Sequence, residues 1–121
     1  MEQLNPIDAF EQQIHNVASH FSFIQQFSTL DKTAHTIKLR LYITTDCFVQ
    51  IYANVRKNIV SYALVLSQNR IYGRNCYDGV WHRHPYEAPE THDFGPDGCR
   101  QISLEEFLIE VQQILEQEEL L

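Results

Sequence analysis

Thr36-Ile37-Lys38-Leu39-Arg40-Leu41-Tyr42-Ile43-Thr44 is the stretch that decides the fold. Ile37, Leu39, Leu41 and Ile43 alternate with Lys38, Arg40 and Tyr42. Successive side chains of a strand point to opposite faces, so this alternation predicts a sheet with one buried face and one polar face. Downstream, Thr45-Asp46 reads as a turn. Residues 47–55 follow as a second strand, with Val49, Ile51 and Ala53 opposite Phe48, Gln50 and Tyr52. Arg56-Lys57-Asn58 turns the chain into Val60 to Ser67, an apolar run suited to a central strand. Gln68-Asn69 turns it again into Arg70 to Cys76, and Asp78-Gly79 leads to a short strand at Val80 to His84. Parallel pairs need long crossovers, so these short connections predict antiparallel hairpins and a β-meander.

Helices flank the strands. Phe10, Ile14, Val17, Phe21 and Ile24 recur at helical spacing, with Asn5 or Asp8 as N-cap and Pro6 in the first turn. This helix is expected to fade near Ser28-Thr29, with His15 and His20 solvated off its stripe. Ser103-Leu104-Glu105-Glu106 is a capping box that starts a last helix. Its apolar stripe is Leu104, Phe107, Leu108, Val111, Ile114 and Leu115. The expected fold is a single α+β domain over residues 1–121: an antiparallel four- to five-stranded β-meander packed against an N-terminal and a C-terminal helix. With both helices on one face, the other would carry Lys38, Arg40, Tyr42, Gln50 and Tyr52, joined by Tyr72 and Arg74 if register allows.

Composition sets the class. The chain has 121 residues, 44% apolar and 21% charged, as in an ordinary globular domain. No apolar run approaches the roughly 20 residues that span a bilayer. The start, Met1-Glu2-Gln3-Leu4-Asn5-Pro6, lacks a signal-peptide pattern, so a cytoplasmic location is expected. Three widely spaced cysteines, Cys47, Cys76 and Cys99, read as buried reduced thiols and not as a disulfide or zinc framework. The net charge of -7 conceals segregation: residues 104–121 hold six acids and no bases, whereas residues 32–83 hold eight bases and two acids. A basic middle suits a polyanion such as RNA, or simply guards strands against aggregation.

The densest chemistry lies in Trp81-His82-Arg83-His84-Pro85-Tyr86-Glu87-Ala88-Pro89-Glu90-Thr91-His92-Asp93-Phe94. His82 and His84, two apart on a strand, point to one side, and a loop could bring His92 and Asp93 to meet them. Three readings stay open. One is metal-free ribonuclease chemistry, with His82, His84 or His92 as base and acid and Arg83, Arg74 or Arg40 on the phosphate. The second is a small hydrolase whose divalent metal is held by His82, His84, His92 and Asp93. The third is a rigid loop whose Trp81, Tyr86 and Phe94 plug the core. RNA could stack and pair on the open face at Lys38, Arg40, Tyr42 and Tyr52, with Trp81 as a further stacking group. The same face could instead serve a protein partner or a homodimer.

The order of these segments resembles a family. Arg70-Ile71-Tyr72-Gly73-Arg74, Asp78-Gly79-Val80-Trp81-His82-Arg83-His84-Pro85, His92-Asp93-Phe94 and Ser103-Leu104-Glu105-Glu106-Phe107-Leu108 are similar to the TumE-like toxins of prokaryotic toxin–antitoxin pairs. The resemblance covers about residues 36–116. It implies an RNA-directed toxin neutralised by a helix-turn-helix antitoxin, with His82, His84 and His92 as site residues and Arg74 nearby.

Overall fold

The strand at 36–44 forms as its alternation predicts, and the sheet extends from it in both directions. The structure, a computed structural model, describes residues 5–120. The start that reads as free of a targeting pattern, residues 1–4, and residue 121 lie outside that range. In chain order the elements are helix α1 (Pro6–Ala18), strands β1 (Gln26–Lys32), β2 (Thr36–Thr44), β3 (Cys47–Asn54), β4 (Ile59–Leu66), β5 (Asn69–Tyr77) and β6 (Val80–His84), and helix α2 (Leu104–Gln117). Among the described residues the sheet has six strands in the order β1-β2-β3-β4-β5-β6, every neighbouring pair antiparallel. The expected meander is there, with one or two more strands than the four or five predicted.

The extra strand comes from the expected N-terminal helix. Asn5 caps α1 as predicted, its side chain accepting from the Asp8 amide, but the helix stops at Ala18. The amides of His20 and Phe21 bond back to Val17 and Ala18 in a tight turn. Gln26–Lys32 then pairs with β2, setting Phe27 opposite Leu41. Phe21 and Ile24 still pack against the core, so their helical spacing reflects burial and not helix. A whole ladder of hydrogen bonds outweighs a weak local propensity. His15 and His20 are exposed, as expected.

Register sorts the sheet into two faces. Ile37, Leu39, Leu41, Val49, Ile51, Ala53, Tyr62, Leu64 and Tyr72 share one face and form the core with both helices. Phe107 of α2 lies against Tyr62 and Tyr72, with ring centroids 5.4 and 5.7 Å apart. Ser103 forms the full capping box with Glu106 that its sequence promises. Lys38, Arg40, Tyr42, Gln50 and Tyr52 occupy the opposite, open face, as expected. Cys47 and Cys76 are buried free thiols as anticipated, whereas Cys99 is exposed, carried out by the loop before α2. No helix among the described residues is long and apolar enough to cross a membrane.

Candidate functional site

The histidine segment works on both faces of the sheet at once. Arg74 pairs with Arg83, and Asn75 with His82, across β5 and β6. After β6 the chain loops out through Pro85 and Pro89 and returns, and Asp93 bridges Arg83 through two backbone hydrogen bonds of 3.0 and 2.8 Å. Neighbours in an extended segment alternate, so Asp93 lies on the helix face with Arg83. His92 and Phe94 lie on the open face with His82 and His84.

This corrects four expected site residues. Arg74 does not join the histidines or the open face; it lies under α2, fully buried. Its Nε and Nη2 donate to Glu110 at 3.0 and 2.7 Å, and its Nη1 and Nη2 donate to the backbone oxygen and carboxylate of Asp97 at 2.7 and 2.9 Å. Tyr72, predicted to share the open face with it, is also on the helix face and donates its hydroxyl to Glu110 at 2.8 Å. Burial first, and then this carboxylate, pushes the Tyr72 hydroxyl up to about 12. Arg83 is committed to Asp93 and Asp97 at 2.8 and 3.1 Å. Asp93 therefore leaves the candidate metal set. Its carboxyl is held below the usual range by the Gly95 amide and then by Arg83. Trp81 pairs with Cys76 on the helix face and lies 6.2 Å from the Tyr62 ring, so it packs with the core and offers no stacking surface beside the histidines. These pairings explain the burial of Arg74: a buried charge is tolerable only when it is paired and hydrogen-bonded.

On the open face the three histidines meet. The Nε2 atoms of His82 and His84 are 3.1 Å apart, and one nitrogen from each of His82, His84 and His92 lies within 4.8 Å of the others. His82 and His84 are nearly closed to solvent, at 6% and 2% exposure, while His92 is exposed. His84 Nδ1 is 2.9 Å from the Pro89 carbonyl oxygen. A carbonyl only accepts, so the tautomer assigned from this contact carries its hydrogen on Nδ1 and presents the Nε2 lone pair to the cluster. Burial, then His84 and His92, depress the His82 pKa. Burial, opposed by the Pro89 carbonyl and reinforced by Arg70 and His92, depresses that of His84. Both shifts favour neutral rings. Tyr77 stacks on His82 at 5.9 Å and Phe94 approaches it at 5.2 Å, two half-exposed aromatic walls.

The loop bearing His92 is pinned from behind. Gly98 is buried, and a Cβ there would come within 2.1 Å of the Asp93 backbone oxygen. Only glycine lets residue 98 pass so close beneath residue 93.

Arg70 is the neighbour that sequence reasoning does not assign. Strict alternation would place Arg70, Tyr72 and Arg74 on one face. A β-bulge intervenes: Leu64 pairs with Tyr72 but Val65 pairs with Arg70, which turns Arg70 to the open face. No residue type at 69–72 marks that bulge; only a positive charge on the strand next to the histidines hints at it. Compared with family models, curated proteins and solved structures, the chain finds no match.

Proposed function

We propose that His82, His84 and His92 form a divalent-metal centre of the three-histidine class, and that the protein is a small metal-dependent hydrolase. One observation carries this reading: three imidazole nitrogens converge within 4.8 Å, the central one already oriented by a backbone carbonyl. Tetrahedral zinc, with bonds of about 2.0–2.1 Å, sets neighbouring ligand nitrogens about 3.3 Å apart. The His82–His84 separation of 3.1 Å is close to that value. His92, on the exposed loop, needs to swing inward by about 1.5 Å to complete the set. The Pro89 carbonyl at His84 Nδ1 is the kind of outer partner that metal-binding histidines use to fix ring and tautomer. In the metal-free protein the His82 Nε2–H donates to the His84 Nε2 lone pair, and a cation between the two nitrogens would take the place of that one proton.

A bound divalent ion would polarise the substrate and lower the pKa of a water in a remaining position. In hydrolysis that water's oxygen bonds to the carbonyl or phosphorus centre, the bond to the leaving oxygen breaks, and the leaving oxygen takes the proton. Tyr77 and Phe94 narrow the approach and keep bulk water from one side of His82.

The same spacing weighs against metal-free cleavage by a histidine base and acid. Attacking and leaving oxygens lie in line across the phosphorus, each with a hydrogen bond of about 2.7–3.0 Å, so the two imidazoles must stand more than about 6 Å apart. An RNA-directed role, the expectation carried by the TumE resemblance, remains a substrate choice for the metal centre. The open-face Lys38, Arg40, Tyr42 and Tyr52 support that choice.

The test is metal content. Protein loaded with zinc or cobalt and then desalted should retain one equivalent, and His82→Ala and His84→Ala should retain none while staying folded. Equal retention by the wild type and both variants, or none by the wild type, sinks the proposal.

A further inference from the structure

Of the arginines between residues 70 and 100, Arg74, Arg83 and Arg100 are each paired with a carboxylate. Among the described residues no carboxylate pairs with Arg70, and its side chain makes no hydrogen bond there. It is also the one beside the histidines. Gly73 stands opposite His84 across the β5–β6 ladder, and a Cβ at Gly73 would lie 3.4 Å from Arg70 Cδ and 3.8 Å from His84 Cβ. The Arg70 stem therefore lies across the bare backbone of Gly73, on the same surface as the histidine rings. The bulge between Leu64 and Val65 puts it there; in regular register it would point towards the helices.

Arg70 also forms one wall of a groove on the open face. Its volume is about 720 Å³, its floor includes Ser61 and Ala63, and its far wall is Arg40. Arg40 is braced over the Phe48 ring at 4.2 Å and donates to Gln50 at 3.2 Å, which leaves its charge unpaired. The single carboxylate on the lining, Asp46, is engaged by the hydroxyls of Thr44 and Ser67. Two unpaired guanidiniums thus flank a trough that no histidine lines, and Arg70, its near wall, is the link to the histidine cluster across Gly73.

We infer that Arg70 anchors the phosphate of a phosphate-ester substrate beside the three-histidine centre, with the rest of the substrate in the groove towards Arg40. This deepens the metal-centre reading and rests on it. A guanidinium fork matches the spacing of two phosphate oxygens, and a third oxygen stays free to face the histidines. A neutral carboxylic ester offers no such anion, so Arg70 selects between the two ester classes.

The test uses the whole chain loaded with cobalt(II), whose visible absorption reports its ligands. Inorganic phosphate and, separately, acetate are titrated at constant ionic strength into the wild type, Arg70→Ala and Arg70→Lys. Phosphate should change the cobalt spectrum. Its affinity should fall about tenfold to a hundredfold in Arg70→Ala, the loss expected for one hydrogen bond to a charged group. Arg70→Lys should lie between, cobalt affinity should stay unchanged, and acetate should bind weakly and alike in all three. Equal phosphate affinity with and without Arg70, or a preference for acetate, overturns the inference and leaves the metal centre standing. Failure of cobalt to load in a histidine-dependent way overturns both.

Discussion

His92 and Asp93 are neighbours in the chain and serve opposite faces of the sheet. Behind the sheet, Asp93 belongs to a cluster in which Arg74 and Arg83 meet Glu110, Asp97 and Asp93. In front, His92 belongs to a cluster of like groups whose rings face each other. The first cluster satisfies itself and ties β5, β6, the loop and α2 together. The second holds itself through the His82–His84 contact and the Pro89 carbonyl on His84 Nδ1 alone. Cross-paired opposite charges mark scaffold, whereas near-buried like groups able to ligate mark a candidate site.

The sharpest way to break the comparison is on the scaffold side. Arg74→Met removes the buried partner of Glu110 and of the half-exposed Asp97 and should cost about 1.5–3 kcal/mol in urea unfolding. Adding Glu110→Leu should recover part of that loss, because the two sites share one interaction. On the front side, zinc at a hundred times its dissociation constant should stabilise the wild type by about 2.7 kcal/mol and leave His82→Phe unmoved. Without metal, His82→Phe should change stability by less than about 1 kcal/mol, since an apolar ring replaces one whose only bond is to a like neighbour. A large loss for the metal-free variant would mean that the histidines are scaffold after all.

Gly98→Ala joins the two sides. It should cost about 1–3 kcal/mol through the clash beneath Asp93, speed hydrogen exchange at the Arg83 and Asp93 amides, and weaken cobalt binding by displacing His92. The smallest effect is acid sensitivity. Asp97 is held below its usual 3.8: burial opposes the shift, but Arg74, Arg100 and Arg83 outweigh it. Asp93 is lowered in the same direction. A depressed carboxyl contributes stability that is full above the unfolded value and lost as pH falls through the folded one. The loop should therefore loosen below about pH 4, read as faster amide exchange at Asp93, and less so in Asp97→Asn.

The alternation at 36–44 and the capping box at Ser103 were legible because each is a local rule that burial reinforces. The end of α1 was not, because Phe21 and Ile24 are partly buried at helical spacing without being helical. Within the site, the convergence of His82, His84 and His92 could be read from H-x-H on a strand. The departure of Trp81 and Arg83 to the other face follows from the same alternation, whereas that of Arg74 and Asp93 depends on register, which spacing alone does not fix. The arrival of Arg70 depends on a single bulged residue, which no local pattern encodes.

The nearest-neighbour order of the strands has a kinetic meaning. Each hairpin can close on the one before it without waiting for a distant partner, so the sheet is able to zip from its N-terminal edge as the chain emerges. His92 is held by a loop whose latch, Arg74, needs Glu110 from the last helix. Docking of the last helix therefore reinforces the loop that carries His92, in addition to the Arg83–Asp93 bridge that ties the loop to β6.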